Sequence, residues 1–392
     1  MAKNKQQNKN QRPNIENHVK LQLWNDAGGR CEFRGCNKKL WIHGLTFEKA
    51  NFSEMAHIIG AKKDGPRGND ESEALAKDVK NLMLMCPVCH SLIDKPETRA
   101  NYAIELLQEM KQEHEERITS LTEIGHNYKT EILRFVMNIG DRPVTVDYND
   151  ARLAVVKNKK YPQGNGIFID RTQDAGDGDK SYYEYNCSAI KQALERQLFH
   201  EGNEVRSTNH LSVFALAPIP FLIFLGRHLT DTKFNEIELY QKHRIPKQTW
   251  VWDEKVEKNS FVNFVVKKPK SINPDSKVAL ILALSDSINE DKYKDILTDE
   301  FDIFTITISE QPNPMFLIHP ILIGQFEVEF RKTLNEIQNL YGVNTTLHLF
   351  PAIPPPIAVK CGMTILPKKD MPILIYDFNK MFGGFRKTIV ID

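Results

Sequence analysis

The chain has 392 residues, of which 41% are hydrophobic and 26% are charged, a composition typical of a globular protein with two or three domains. Its formal net charge is only +1, so binding to nucleic acid would require positive charge that is concentrated locally. No run approaches the roughly 20 apolar residues that span a bilayer, and the N-terminus lacks the apolar segment of a secretory signal. These features argue against a membrane protein and predict a cytoplasmic location.

The chain divides into four predicted segments: a basic polar tail (1–17), a first domain (18–122), a linker (123–129) and a second domain (130–392). The tail carries lysines and Arg12 among Asn and Gln, and is either a solvated tail or an arm that contacts phosphates. Helical spacing of apolar residues predicts a helix over 101–118 at the end of the first domain.

From residue 130 onward, short apolar runs alternate with helical patterns. The predicted strands cover residues 132–136, 211–217, 278–284, 304–308, 346–350 and 373–376, and the clearest helices cover 188–200 and 325–341. This alternation predicts an α/β region with a largely parallel sheet. The region is long enough for two such units side by side, although no residue-level repeat is evident, and the acidic stretch 170–180 is predicted to be an exposed loop.

Four of the six cysteines form two close pairs in the first domain, Cys31-x4-Cys36 and Cys86-x2-Cys89. In a reducing compartment, such pairs favour a metal site over a disulfide framework. Zinc prefers tetrahedral sulfur coordination, and four thiolates leave no open position for chemistry. The spacing therefore predicts a structural Zn²⁺ site.

Candidate catalytic residues lie between and just after these cysteines. His57 is in an apolar, strand-like run, and a lone histidine of this kind would be weak evidence for catalysis. However, Asn81 and then Cys86-x2-Cys89-His90 follow it, and this order and spacing closely resemble the motif of HNH endonucleases. The resemblance covers the first domain and implies an α+β, zinc-bound fold of the ββα-metal type.

The HNH resemblance implies a role for each of three residues. His57 would be the general base that takes a proton from the attacking water, which suits imidazole because its ordinary pKa lies near neutrality. Asn81 would hold the loop that follows His57. His90 would ligate a catalytic divalent cation, Mg²⁺ or another, that contacts the scissile phosphate.

One position departs from the family pattern. Many HNH nucleases have an aspartate ligand immediately before the base, where this chain has Ala56. Glu54 and Asp94 are the alternative metal ligands, and water can fill the remaining positions of Mg²⁺. The basic loop that ends at Arg67 either clamps a phosphate or is a solvated turn.

In the second domain, proline-containing turns follow two predicted strands, where ligands collect in α/β sheets, and a later segment combines aromatic and cationic residues. The alternative explanation is loop geometry for the prolines and core packing for at least one tryptophan. The predicted ligand-binding residues are Pro218, Arg227, Tyr240, Arg244, Trp250, Trp252, Ser309, Pro354 and Lys360.

Residues 130–392 resemble the SAVED domain through the runs 214–220, 250–252 and 347–354, with Gly226 and Gly362 downstream of the first and last. The resemblance implies two fused CARF-like (Rossmann-like) units that bind a cyclic di- or trinucleotide. An HNH domain followed by SAVED resembles the effector nucleases of CBASS antiphage defence. It implies self-association on activation, into a tetramer, and degradation of double-stranded DNA.

The sequence therefore predicts a cyclic-nucleotide-activated, metal-dependent DNA endonuclease. An unregulated nuclease would destroy its host's DNA, so a large appended domain suggests control. Two alternatives stay open. One is an ungated HNH nuclease of the restriction type, and the other is a zinc-stabilised DNA-binding protein whose nuclease site is inactive, as Ala56 would allow.

Overall fold

A computed structural model describes residues 14–124, 128–140, 142–173, 180–199, 209–229, 234–253, 261–297, 300–379 and 383–392. The chain divides into two compact units, Met1–Gly125 and His126–Asp392. Most of the predicted basic tail and of the predicted acidic loop 170–180 lie outside the described residues. Within the described part of the chain, no helix is both long and apolar enough to cross a membrane.

The first unit is built around a two-stranded antiparallel sheet. Its elements are α1 (Asn17–Asp26), β1 (Glu54–His57), α2 (Ser72–Leu75), β2 (Leu82–Met85), α3 (Pro87–Asp94) and α4 (Ile104–Thr122). In the sheet, Glu54 lies opposite Met85 and His57 lies opposite Leu82. All four residues of β2 are buried, because β1, α1 and the short helical turn at Val79–Asn81 pack against this strand. The chain thus runs strand, strand, helix through the predicted catalytic region.

The helix predicted at the end of this unit is α4. Its buried residues, Leu107, Met110, Lys111 and His114, recur at the three- and four-residue spacing of one helix face. His114 Nε2 lies 3.0 Å from the carbonyl oxygen of Ala27, so this face is attached to the end of α1. The apolar periodicity of the sequence is therefore confirmed as a packing face.

The second unit is an α/β assembly with two sheets. Its strands are β3 (Lys129–Val136), β4 (Tyr161–Pro162), β5 (Ile167–Asp170), β6 (His210–Leu216), β7 (Glu236–Leu239), β8 (Phe264–Lys267), β9 (Lys277–Ala283), β10 (Phe301–Ile308), β11 (Leu347–Ala352), β12 (Ile373–Asn379) and β13 (Gly384–Ile391). Its helices are α5 (Tyr148–Lys157), α6 (Lys180–Leu194), α7 (Ile219–Leu229), α8 (Ile321–Tyr341) and α9 (Pro355–Thr364).

The two sheets share one strand order. In the first, β5, β3, β6 and β7 lie side by side and are all parallel, with β4 beside β5 on the same edge of β3. In the second, β10, β9, β11 and β12 lie in the corresponding order and are also all parallel. Antiparallel β8 and β13 complete the two edges of the second sheet. Such parallel sheets are covered by helices on their faces, which explains the strongly apolar strands.

The two halves meet where α7 packs against α9. A Cβ placed on Gly226 of α7 would lie 1.9 Å from the carbonyl oxygen of Val359, and a Cβ placed on Gly362 of α9 would lie 1.9 Å from that of Ile223. The contact is reciprocal, because Ile223 and Val359 each lie three residues before the glycine of their own helix. Only glycine permits backbones to approach this closely.

The expectation that the two halves share no residue-level repeat is wrong at this contact. Each half contains the pattern Pro-x-Pro-x5-Gly, from Pro218 to Gly226 and from Pro354 to Gly362. In both, the first proline follows a buried strand and the glycine lies in the next helix. Equivalent residues of the two halves therefore face each other, as at a two-fold symmetric interface.

All six strands predicted for this region are present, with ends that differ by a few residues. The helix predicted over 188–200 is instead α6, which starts earlier, followed by a π-helical turn at Glu195–Phe199. Residues 250–253 are not part of a strand. Trp250 and Trp252 both pack in the core.

Candidate functional site

The four clustered cysteines of the first unit come together as predicted. The sulfur atoms of Cys31, Cys36, Cys86 and Cys89 all lie within 4.8 Å of one another. A tetrahedral zinc ion with bonds of about 2.3 Å holds its sulfurs about 3.8 Å apart, and the Cys36 and Cys86 sulfurs are 3.9 Å apart. The cluster therefore has the size and the ligand type for zinc.

The local structure explains this convergence. Cys86 caps the N-terminus of α3 and Cys89 lies in its first turn, where the helix dipole favours thiolates. The backbone N–H of Cys86 also donates a hydrogen bond to the sulfur of Cys31, at 3.3 Å. Burial, together with the neighbouring Cys36 and Cys86, raises the pKa of the Cys31 thiol to about 12, so a bound cation is needed to keep this group ionised.

His57 ends β1 and is held by the segment that follows α2. Its Nε2 lies 3.0 Å from the carbonyl oxygen of Ala76. A carbonyl oxygen can only accept, so Nε2 must carry the proton in this contact. In the neutral ring the lone pair that can take a proton is therefore on Nδ1. The fold selects one tautomer of the predicted general base.

Asn81 holds the backbone just after His57. Its side-chain oxygen accepts a hydrogen bond from the N–H of Ile59 at 2.8 Å, and its nitrogen donates to the carbonyl oxygen of Ile59 at 2.9 Å. The same nitrogen donates to the carbonyl oxygen of Leu75 at 3.2 Å. Asn81 is 5% exposed, so these bonds fix the chain two residues beyond His57 in a dry environment.

His90 lies between the two carboxylates that the sequence offered as metal ligands. Its Nδ1 contacts Oε2 of Glu54, and its Nε2 lies 3.2 Å from Oδ2 of Asp94. Hydrogen bonds that the ring donates to Asp94 and Glu54, opposed by burial, raise the pKa of His90 above its ordinary value. The β1–β2 register makes the Glu54 contact possible by placing Glu54 opposite Met85, just before α3. Glu54 and Asp94 flank opposite ring nitrogens, so each nitrogen has one carboxylate beside it.

Arg67 connects the segments that carry these residues. Its guanidinium donates to the carbonyl oxygens of Ile58 (2.8 Å), Ile93 (2.6 Å) and His57 (3.1 Å), and to Oδ1 of Asp94 (2.7 Å). Its side chain is 8% exposed. If the basic loop 62–67 clamps a phosphate, Arg67 takes no part, because its donors are directed into the protein. Arg67 instead ties the end of β1 to α3.

The two groups of potential ligands differ in how closely they converge. Among the described residues, the four cysteines lie close enough together for their sulfur atoms to bind a single ion. The carboxylates beside His90 are instead on opposite sides of its ring. Glu54 contacts Nδ1 and Asp94 contacts Nε2. A cation beside His90 would therefore share one nitrogen and one carboxylate, and the other carboxylate would orient the ring, as is common around metal-bound histidines.

In the second unit, three of the predicted ligand-binding residues lie in the core. Tyr240 and Trp250 are 2% exposed and Trp252 is 7% exposed. The Tyr240 ring stacks on Phe214 at 4.3 Å, and Trp250 meets the same ring edge-on. Burial raises the pKa of the Tyr240 hydroxyl well above its usual range. These rings stabilise the first sheet and do not line an open surface.

The other predicted residues are spread over the unit. Three lie just past carboxyl ends of parallel strands: Pro218 after β6, Ser309 after β10 and Pro354 after β11. Lys360 pairs with Glu327 across α9 and α8, at 3.1 Å. Arg244 is exposed and Arg227 lies half-buried near the end of α7. The structure therefore does not gather the nine residues into one pocket.

A cleft in the first half of this unit was not predicted. It has a volume of about 320 Å³ and is lined by Arg171, Tyr185, Ser188, Ala189, Gln192, Ala193, Arg196 and Gln197. Arg171 directly follows β5, at the carboxyl edge of the sheet, and its guanidinium lies 5.4 Å from the centre of the Tyr185 ring. The spacing of Tyr185, Ser188 and Gln192 along one face of α6 is the sequence signal that could have revealed this cleft.

The second unit matches the model of a known family of sensor domains. The SAVED family model, described as "SMODS-associated and fused to various effectors sensor domain", matches residues 190–391. The chain is also similar to the Acinetobacter baumannii Cap4 SAVED/CARF-domain containing receptor with the cyclic trinucleotide 3'3'3'-cAAA, at 11% identity and a TM-score of 0.43, covering 83% of this chain and 67% of that one. The chain is similar as well to the Moraxella osloensis Cap4 SAVED/CARF-domain containing receptor, at 11% identity and a TM-score of 0.34. This match covers 81% of this chain and 66% of that one.

The chain thus spans about two thirds of the length of these receptors. No curated protein matches it.

Proposed function

Because this chain belongs to the SAVED family of sensor domains fused to various effectors, we propose that its first unit is the effector. The proposed activity is that of a metal-dependent HNH endonuclease, which cleaves double-stranded DNA when the second unit binds a cyclic nucleotide. The role is antiphage defence of the CBASS type. The observation that carries the nuclease assignment is the placement of His57, Asn81 and His90 around one strand–strand–helix segment.

The hydrogen bonds of this segment match the roles that the HNH resemblance implies. His57 presents Nδ1 as the base because Ala76 holds Nε2 in its protonated form. Asn81 fixes the backbone that follows, so that the imidazole is already oriented when a phosphodiester arrives. Positioning of this kind lets His57 take the proton from an attacking water without prior rearrangement.

The residues around His90 suit a hard divalent cation such as Mg²⁺. Carboxylate oxygens and an imidazole nitrogen are available side by side at Glu54 and His90. When bound there, the cation would stabilise negative charge on the scissile phosphate and on the leaving oxygen. Asp94, held by Arg67, would keep the His90 ring in place through its other nitrogen. Glu54 would then replace, as a metal ligand, the aspartate that many HNH nucleases have immediately before the base, where this chain has Ala56.

Ligand sensing is assigned to the second unit on its family membership and its chemistry. Two parallel sheets with the same strand order bring the turns after β6 and β11 to the same end of their sheets, the end at which α/β folds bind ligands. The cleft beside α6 adds Arg171 and Arg196 with the Tyr185 ring. Guanidinium groups bind phosphates and aromatic rings stack on bases, so these side chains suit a nucleotide.

A plasmid-cleavage assay with Mg²⁺, run against a panel of cyclic di- and trinucleotides and a no-ligand control, tests the proposal. Cleavage is expected with one or a few ligands and should be abolished in His57→Ala, which keeps the fold. Size measurements on the same samples test the proposed self-association into a tetramer. Cleavage that is equal with and without every ligand would contradict gating and favour the restriction-type alternative. Cleavage by His57→Ala would contradict the assignment of the base.

A further inference from the structure

The first unit carries an apolar loop tip that the proposed active site does not use. Between Trp41 and Phe47, three large apolar side chains are exposed: Trp41 by 57%, Leu45 by 85% and Phe47 by 71%. Single exposed apolar residues are ordinary, but three within seven residues form a patch. Leaving large apolar side chains in water forgoes the free energy of burying them, so a patch of this kind is expected to have a partner.

The tip is a structured turn. The N–H of His43 donates to the carbonyl oxygen of Glu48 at 2.9 Å, and the N–H of Phe47 donates to that of His43 at 3.0 Å. The N–H and hydroxyl of Thr46 also contact Nδ1 of His43, at 3.2 and 3.0 Å. These contacts hold Phe47 at a φ of 59°, in the left-handed region that bulky residues avoid. A phenylalanine that is held in this unfavourable backbone conformation and exposed to solvent suggests a functional constraint.

The charge around the tip indicates its partner. Lys38, Lys39 and Lys49 are exposed on the two arms of the loop, against a single acid, Glu48. The loop therefore joins cations to apolar side chains, the combination that proteins use to grip phosphates and insert a wedge between base pairs. Duplex DNA matches both the tip and the lysines, whereas a partner protein would match the lysines only if acidic side chains lay beside its apolar surface. The loop also leads directly into β1, which carries His57.

We propose that Leu45 and Phe47 form a wedge that inserts into the groove of duplex DNA, while Lys38, Lys39 and Lys49 contact the flanking phosphates. The inference rests on the proposed function, since DNA is the substrate assigned there. It adds a binding site outside the catalytic segment. Insertion would unstack one base step and hold the duplex beside β1.

The test measures binding of a fluorescent 30-base-pair duplex to full-length His57→Ala protein, which does not cleave it, alone and with each cyclic nucleotide of the panel. Adding Phe47→Ala or Leu45→Ala should weaken binding about tenfold, the scale of one lost stacking contact. Leu21→Ala is the matched control, because Leu21 lies in the same unit and is also 71% exposed. It should bind as the parent does. Replacing the three lysines by alanine should make DNA binding less dependent on salt. The decrease should correspond to the loss of about two to three phosphate contacts.

Phe47→Gly separates the wedge from the fold. Glycine removes the ring and also relieves the unfavourable φ, so the melting temperature should stay equal or rise while DNA binding falls about tenfold. Phe47→Trp should retain binding. A duplex with 2-aminopurine should brighten on binding the parent and not on binding Phe47→Ala.

The outcomes distinguish this inference from the function it rests on. If the His57→Ala parent binds no DNA under any condition, both the proposed substrate and the wedge are wrong. If the parent binds and the Phe47 and Leu45 variants bind equally well, the wedge alone is wrong. Loss of self-association in these variants, with unchanged DNA binding, would identify the patch as a protein interface and overturn the proposal.

Discussion

Replacing Gly226 by alanine tests whether the α7–α9 contact holds the two halves of the sensor unit together. The new Cβ would lie 1.9 Å from the carbonyl oxygen of Val359, 2.8 Å from its carbonyl carbon and 3.1 Å from the nitrogen of Met363. All three atoms belong to the backbone of α9, so no side-chain rotation relieves the clash. The helices must separate by about 1.5 Å to restore ordinary contact, and gaps of about 0.5–1 Å already forfeit a quarter to a half of the dispersion energy.

Overpacking in a well-packed core costs about 1–3 kcal/mol and sometimes more. A backbone clash at the centre of a buried helix pair belongs at the upper end, so Gly226→Ala should lower the free energy of unfolding of this unit by about 3 kcal/mol or more. For a unit of this size, about 1 kcal/mol shifts the melting temperature by 2–4 °C. The corresponding transition should therefore move down by roughly 6–12 °C.

Gly324→Ala is the matched control for calorimetry. Gly324 is also helical, in α8, but a Cβ there meets nothing within 4 Å. Alanine at such a position stabilises a helix by about 0.5–1 kcal/mol, so this variant should melt at an equal or slightly higher temperature. Gly362→Ala should reproduce the effect of Gly226→Ala, because the contact is reciprocal. If Gly226→Ala melted like Gly324→Ala, the close approach of α7 and α9 would be refuted.

Three further predictions concern the rest of the protein. Cys89→Ser should lower bound zinc and unfold the first unit while the second keeps its own transition; unchanged zinc content would contradict the four-cysteine site. Because both carboxylates contact His90, Glu54→Gln and Asp94→Asn should each weaken Mn²⁺ binding, measured by electron paramagnetic resonance, about ten- to a hundredfold; equal binding by both variants and wild type would exclude a cation there. Burial lowers the pKa of His210 to about 4 from an ordinary 6.5. Between pH 4 and pH 6.5, His210 is therefore protonated in the unfolded chain and neutral in the folded protein. The contribution of His210 to the free energy of unfolding is fully present above pH 6.5 and falls as the pH drops toward 4. Urea unfolding at pH 7 and 5 should show a smaller difference in His210→Gln than in wild type; an equal difference would assign the pH dependence to other groups.

Much of the first unit follows from short stretches of sequence. A metal chelate needs pairs of thiols a few residues apart, and a strand or helix needs its own apolar period, so contiguous residues are sufficient to predict both. The four cysteines therefore converge as predicted, and α4 and β2 lie in the predicted regions. The roles of His57 and His90 in catalysis stay predictions, although both lie on the segment that the HNH resemblance implies.

The contacts between distant segments were decided by the tertiary structure alone. The sequence does not show that Arg67 turns inward to His57 and Asp94, or that Glu54 reaches His90 across the sheet. Both depend on strand register and on the path of a loop, which follow from packing of the whole unit. An exposed basic loop and a buried arginine clamp have the same local composition, so their residues alone cannot separate them.

The second unit shows the same division between local and long-range information. Its alternating strands and helices are a local property and predict an α/β fold, whereas burial depends on what the rest of the chain places beside a residue. The sequence therefore leaves Trp250 either as a ligand-stacking ring or as a core residue, and the fold shows that it is a core residue. Gly226 and Gly362 are two ordinary glycines in sequence, and only the packing of α7 on α9 shows that each is there because the other backbone leaves no room for a side chain.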